Sequence, residues 1–189
     1  MEAFLVSTGI VALAEIGDKT QLLALLLAAR FRKPVPIVAG ILVATLLNHA
    51  AAGAVGAWVL TLIGPTGLRW GLGLSFLAMA IWMLIPDKLD DGDTRLQERF
   101  GVFGATLIAF FLAEMGDKTQ IATVALAARY QALGPVVAGT TIGMLLANVP
   151  AVWLGEKAAN ALPVRWVHAT AALLFAGLGI AALMGVGTR

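Results

Sequence analysis

Glu15-Ile16-Gly17-Asp18-Lys19-Thr20-Gln21 recurs as Glu114-Met115-Gly116-Asp117-Lys118-Thr119-Gln120, 99 residues further along a chain of 189. Each copy sets two acids and a lysine in the middle of a long apolar run. Aligned from Leu13 to Arg30 against Leu112 to Arg129, the two segments match at 12 of 18 positions, so the chain consists of two related halves. Ionisable groups at membrane depth are costly, and they face a bundle interior or a water-filled cavity in place of lipid. The rest of the chain supplies that setting. It is 60% hydrophobic and 13% charged, with a mean hydropathy of +0.90, where a soluble domain carries about 25% charged residues. So large an apolar surplus does not fit into one globular core, and an integral membrane protein follows.

The same composition removes other classes. A formal charge of +2, with dispersed lysines and arginines, gives no nucleic-acid footprint. With no cysteine there are no disulfides, thiolate metal sites or cysteine nucleophiles. Neither a nucleophile–base constellation nor a nucleotide-binding loop is present, so no enzyme reading has support. Met1-Glu2-Ala3-Phe4 lacks the basic region of a signal peptide, and the first apolar run is read as a retained span.

Runs of about 20 apolar residues cross the hydrocarbon as helices. Six are expected: Phe4 to Ala29, Val35 to Ile63, Leu68 to Ile85, Val102 to Ala128, Leu133 to Leu154 and Val167 to Val186. Residues 1–86 then form a first three-helix repeat, 87–99 an acidic cytoplasmic linker, and 100–189 a second repeat. Val38-Ala39-Gly40 recurs as Val137-Ala138-Gly139, and Arg69-Trp70 as Arg165-Trp166. Asn48 has a near counterpart in Asn148, with the register slipping by one residue. Three spans per half is an odd number, so the second half enters from the opposite face and the repeats are inverted, as in many secondary transporters.

Arg30, Arg32, Lys33, Lys88, Arg95, Arg99, Lys157 and Arg165 share one face, against Arg69, Arg129 and Arg189 on the other. The positive-inside rule places the first set in the cytoplasm and both termini outside it. Trp58, Trp70, Trp82, Trp153 and Trp166 lie mostly near span ends, as interfacial anchors do.

On a helix, Glu15 and Asp18 point together, as do Glu114 and Asp117. Inverted symmetry can bring the pairs face to face, and four carboxylates converging in a low-dielectric site cannot all stay ionised when empty. A divalent cation replaces the protons, so the same groups bind metal or protons, which is the minimum that antiport requires. Gly17 and Gly116 loosen the helix and can free a backbone carbonyl as a ligand, as in discontinuous transporter helices. Thr20, Gln21, Thr119 and Gln120 offer neutral oxygens, and Asn48 and Asn148 amide oxygens. This hard-oxygen set suits calcium, manganese or magnesium better than zinc or copper. On an ideal helix Lys19 and Lys118 each fall within about 40° of the glutamate and 100° of the aspartate of their own motif. They either hold a carboxylate when the cation is absent or form a permanent ion pair. His49 is read as a packing histidine ahead of a proton carrier, and His168 as interfacial. Asp87, Asp90, Asp91, Asp93 and Glu98 read as a solvated loop ahead of a metal sensor. Gly53, Gly56, Gly177 and Gly179 permit close helix packing.

The two motifs resemble the hallmark Glu-x-Gly-Asp-Lys/Arg-Ser/Thr of the Gdt-type cation/proton exchangers, which include Golgi manganese/calcium transporters and bacterial manganese exporters. Both copies are intact, and the resemblance covers essentially the whole chain. It implies an all-α bundle of six transmembrane helices in two inverted halves, exchanging a divalent cation for protons. Glu15, Asp18, Glu114 and Asp117 would be the cation ligands, with Thr20 and Thr119 in support. The compact form, with no long central loop, looks prokaryotic and implies manganese export across the plasma membrane. The metal (Mn²⁺ or Ca²⁺) is then substrate, with no permanently bound cofactor. Protons and the bilayer are the other partners, and monomer and homodimer both stay open. Two other readings fit the residues: an exporter of a cationic metabolite such as an amino acid, and a non-transporting scaffold that uses the motifs for assembly.

Overall fold

A computed structural model of the chain describes residues 1–85, 97–154 and 164–185. Most of the linker expected at 87–99, with Asp87, Asp90, Asp91 and Asp93, lies outside them. The described residues form eight α-helices and no strand: α1 (Glu2–Glu15), α2 (Lys19–Phe31), α3 (Pro34–Leu62), α4 (Pro65–Trp82), α5 (Gln97–Glu114), α6 (Lys118–Tyr130), α7 (Leu133–Leu154) and α8 (Val164–Leu183).

The first and fourth expected spans are not continuous helices. Gly17, at φ 83°, and Gly116, at φ 75°, adopt the left-handed backbone that a helix cannot continue through and that only glycine enters without penalty. Asp18 and Asp117 then take extended angles (φ −80°, ψ 169° and φ −80°, ψ 167°) and stand as N-caps of α2 and α6. Both new helices run 13 residues and end in a left-handed C-cap, Arg32 (φ 52°) and Gln131 (φ 50°). The two caps donate their amides to the carbonyls of Ala28 and Ala127. Prolines open α3 and α4 where the missing N–H costs nothing. The motif residues therefore sit in helix breaks, and the spacing argument that put Glu15 and Asp18 on one helical face does not describe them.

By length and composition α3, α7 and α8 can each cross a membrane. The pair Phe100–Glu114 and Lys118–Tyr130, bent by 70°, would make a fourth crossing. The outer surface agrees with an apolar solvent: Leu173 is 74% exposed, Trp166 73% and Ile81 68%, in line with lipid-facing positions. The interior carries the polar groups.

The halves interlock. α1 packs most heavily on α7, α5 on α3, and α4 on α8. Two glycines permit the first two crossings: a Cβ on Gly139 would lie 2.5 Å from the Phe4 carbonyl oxygen of α1. One on Gly40 would lie 2.9 Å from the Phe103 carbonyl oxygen of α5. Gly40 and Gly139, like Phe4 and Phe103, are 99 residues apart. Phe76 of α4 and Phe175 of α8, ring centres 6.2 Å apart, close the third contact. Two apolar clusters result. One joins α4 and α8 to α1 and α6, and the other joins α2 and α3 to α5 and the end of α7.

Candidate metal-binding site

The two breaks are built alike. In each, the glutamine four residues past the glycine folds back: Gln21 Oε1 accepts the Gly17 amide at 2.8 Å, and Gln120 Oε1 accepts the Gly116 amide at 2.7 Å. These bonds satisfy backbone donors that a broken helix leaves orphaned. Each glutamine then spends its amide N–H₂ on the opposite half. Gln21 Nε2 donates to the Ala147 carbonyl at 3.0 Å, and Gln120 Nε2 lies 3.4 Å from Asn48 Oδ1. The amide oxygens of Gln21 and Gln120 are thus committed to bracing the breaks.

Between the breaks the acids meet. Ligand oxygens of Glu15, Asp18 and Asp117 lie within 4.8 Å of one another, and all three residues are buried. Glu114 is fully buried but lies outside this group of three, with its Oε2 3.7 Å from His49 Nε2. Thr20 donates its hydroxyl to Glu15 Oε2. Thr119 is equally buried. α2 and α6 both begin here, and the positive ends of their dipoles favour negative charge within the first turn.

The lysines cross over. Lys19 Nζ is 3.5 Å from Asp117 Oδ2, and Lys118 Nζ is 3.6 Å from Asp18 Oδ1. Each lysine ammonium reaches the aspartate of the other motif, where the ideal-helix angles point to the acids of its own. The break redirects it. The pairs differ in depth: Lys19 is 25% exposed and Lys118 1%, with Lys118 Nζ also 3.5 Å from the Ile85 carbonyl oxygen.

Around this core the halves diverge. His49 of α3 is fully buried with Nε2 3.7 Å from Glu114 Oε2. A motif-free histidine in an apolar run gives no sign of that partner, because the contact is made between halves. His168, expected at the interface, reaches inward from α8 and donates to the Ile16 carbonyl at 2.7 Å. The structure also restores the 99-residue register that the asparagines obscure. Gln21 meets Ala147 where Gln120 meets Asn48, so Asn48 is equivalent to Ala147, and His49 to Asn148. Asn48 is tied down through both ends, Nδ2 donating to the Phe111 carbonyl at 3.0 Å. Asn148 is buried, with Nδ2 on the Met144 carbonyl at 3.1 Å and Oδ1 bonded to nothing among the described residues.

Carboxylates from two broken helices, gathered inside a bundle with an apolar outer face, form a candidate cation site in a membrane protein. Comparison with known proteins makes that specific. The chain belongs to the GDT1 family of divalent cation/proton antiporters, whose profile it matches over residues 3–91 and 102–188. It is 53% identical over 182 residues to a Vibrio cholerae protein named "Putative manganese exporter", covering 96% of this chain and 90% of that one. It is 31% identical to GDT1-like protein 3 of Arabidopsis thaliana, over 95% of this chain and 69% of that one. It is 30% identical to a GDT1-like protein of Synechocystis, over 93% of each. No solved structure matches. The family consists of transporters, not enzymes, and the metal is its cargo, not a resident cofactor.

Proposed function

We propose that this protein exports Mn²⁺ from the cytoplasm in exchange for protons, by alternating access around the site between the two breaks. The observation that carries the reading is the convergence of Glu15 and Asp18 with Asp117 inside 4.8 Å, in a fully buried position, from both halves of the chain. Glu114 completes the set from the second break. Thr20 and Thr119 support the carboxylates, Asn148 offers an amide oxygen, and Asn48 with Gln21 and Gln120 holds the breaks in shape. Lys19 and Lys118 occupy aspartates across the site and release them as the cation enters.

The architecture proposed with it has six crossings in two inverted three-helix halves, residues 1–86 and 100–189, joined by a cytoplasmic linker at 87–99. In it α1–α2 and α5–α6 each count as one broken crossing. The reciprocal packing of α1 on α7 and α5 on α3 supports that symmetry, as do the matching caps of α2 and α6. The lysine and arginine distribution puts both termini outside the cytoplasm, and the compact form favours a bacterial inner membrane. The name of the Vibrio relative favours manganese over calcium.

Mechanistically, the cytoplasm-open site takes Mn²⁺ onto carboxylates and releases their protons. The halves rock about the reciprocal helix contacts, the ion leaves on the far side, and external protons reset the acids. The test is metal flux in proteoliposomes holding a metal-sensitive dye, under an imposed pH gradient, with Mn²⁺, Ca²⁺, Mg²⁺ and lysine offered separately. Mn²⁺ movement that follows the proton gradient is expected. Lysine flux without metal flux would favour a metabolite exporter, and silence for every solute would favour a scaffold.

A further inference from the structure

Four carboxylates do not by themselves rank Mn²⁺ against Ca²⁺, because both ions accept the same hard oxygens. We propose that His49 supplies a nitrogen ligand to the transported ion and so sets the preference of the site for Mn²⁺ over Ca²⁺ and Mg²⁺. The inference rests on the reading of the buried acids as a metal site.

His49 is fully buried, and neither ring nitrogen makes a hydrogen bond among the described residues. Buried polar groups are nearly always satisfied, so an imidazole left this way calls for a missing partner. Its Nε2 is 3.7 Å from Glu114 Oε2. That is too long for a hydrogen bond. Neighbouring ligands on one octahedral ion with bonds of about 2.1 Å lie about 3.0 Å apart, so the two atoms would close by about 0.7 Å to share an ion. The ring is also held in place, since the preceding residue, Asn48, is anchored to the Phe111 carbonyl and to Gln120 at the start of α6.

The symmetry of the halves sharpens the point. The position equivalent to His49 is Asn148, buried with its Oδ1 bonded to nothing among the described residues. One half thus offers a nitrogen donor and the other an amide oxygen. Calcium and magnesium take oxygen ligands, whereas an imidazole nitrogen adds affinity along the first-row transition series, of which Mn²⁺ gains the least. A single histidine in an otherwise oxygen site tips the balance toward Mn²⁺ without turning the site into a thiolate or polyhistidine trap.

The experiment uses the full chain in nanodiscs, as wild type and His49→Asn, the variant that gives both halves the same residue. Pulsed electron paramagnetic resonance of bound Mn²⁺ should show nitrogen modulation of imidazole type in wild type and none in the variant. Competition titrations should show the Mn²⁺ over Ca²⁺ preference falling about tenfold in His49→Asn, through loss of Mn²⁺ affinity with Ca²⁺ affinity kept. Bound Mn²⁺ without nitrogen modulation in wild type would overturn the proposal even if the variant fails to fold. An unchanged preference in a folded variant would also overturn it. If wild type binds neither Mn²⁺ nor Ca²⁺, the metal-site reading falls first and this inference with it.

Discussion

The break at Ile16–Asp18 and the break at Met115–Asp117 share left-handed glycine, aspartate cap and back-folded glutamine, yet their surroundings differ. The first has its Ile16 carbonyl capped by His168, and its lysine is partly exposed. The second has its glutamate facing His49, and its lysine is sealed at 1% exposure. What is alike comes from the seven residues of the motif, and what differs comes from helices supplied by other parts of the chain. An antiporter needs both. In the proposed exchange, equivalent breaks would let the two halves trade roles around one ion, and unequal neighbours would let the two directions differ in what they bind and release.

The largest expected effect treats the breaks as equals. Glu15→Gln and Glu114→Gln should each abolish metal-driven transport while the protein stays folded, because either substitution removes an anionic ligand from a shared site. Flux in proteoliposomes, with folding checked by circular dichroism, measures it. Full activity in both variants would refute a site built from both halves.

The lysines should then separate the breaks. Lys118→Met removes a buried ammonium from beside a fully buried aspartate and should cost about 3–5 kcal/mol, as broken buried pairs do. Lys19→Met takes a partly exposed lysine from an aspartate that is itself only 2% exposed and should cost less, about 1–3 kcal/mol, because water already reaches the lysine end of the pair. Chemical denaturation in detergent compares them, and equal costs would mean that the difference in depth has no energetic consequence.

A smaller effect isolates the backbone. A Cβ on Gly116 would meet no heavy atom within 4 Å, so Gly116→Ala changes only the cost of φ 75°. That is about 1–2 kcal/mol, readable as a lower midpoint in the same denaturation series. The smallest concerns the cap on the first break alone. His168→Leu deletes one hydrogen bond to Ile16 and should cost about 1 kcal/mol, with transport retained.

The repeat itself was legible because it is local: Glu-x-Gly-Asp-Lys-Thr-Gln read twice, 99 residues apart, announces both the two halves and the buried acids. The interruption was half legible. Gly17 and Gly116 signalled loosening, but apolar runs with helical residues on either side carry no mark of a left-handed turn, so the spans read as continuous. The lysine crossing, the His49–Glu114 contact and the reach of His168 were not legible. Each depends on which helix of one half lies against which break of the other, and the pairing of α1 with α7 and α5 with α3 is a tertiary fact. Asn48 and Asn148 misled for a related reason: chemical likeness suggested a slipped register, while the Gln21–Ala147 and Gln120–Asn48 contacts keep the spacing of the repeat.

The most direct test of the central claim is proton flux in proteoliposomes carrying an internal pH dye, with Mn²⁺ added to wild type, Glu15→Gln and Glu114→Gln side by side. The account predicts proton movement on Mn²⁺ addition in wild type and its loss in both variants. Undiminished Mn²⁺-driven proton movement in either variant would contradict a single exchange site assembled from the two breaks.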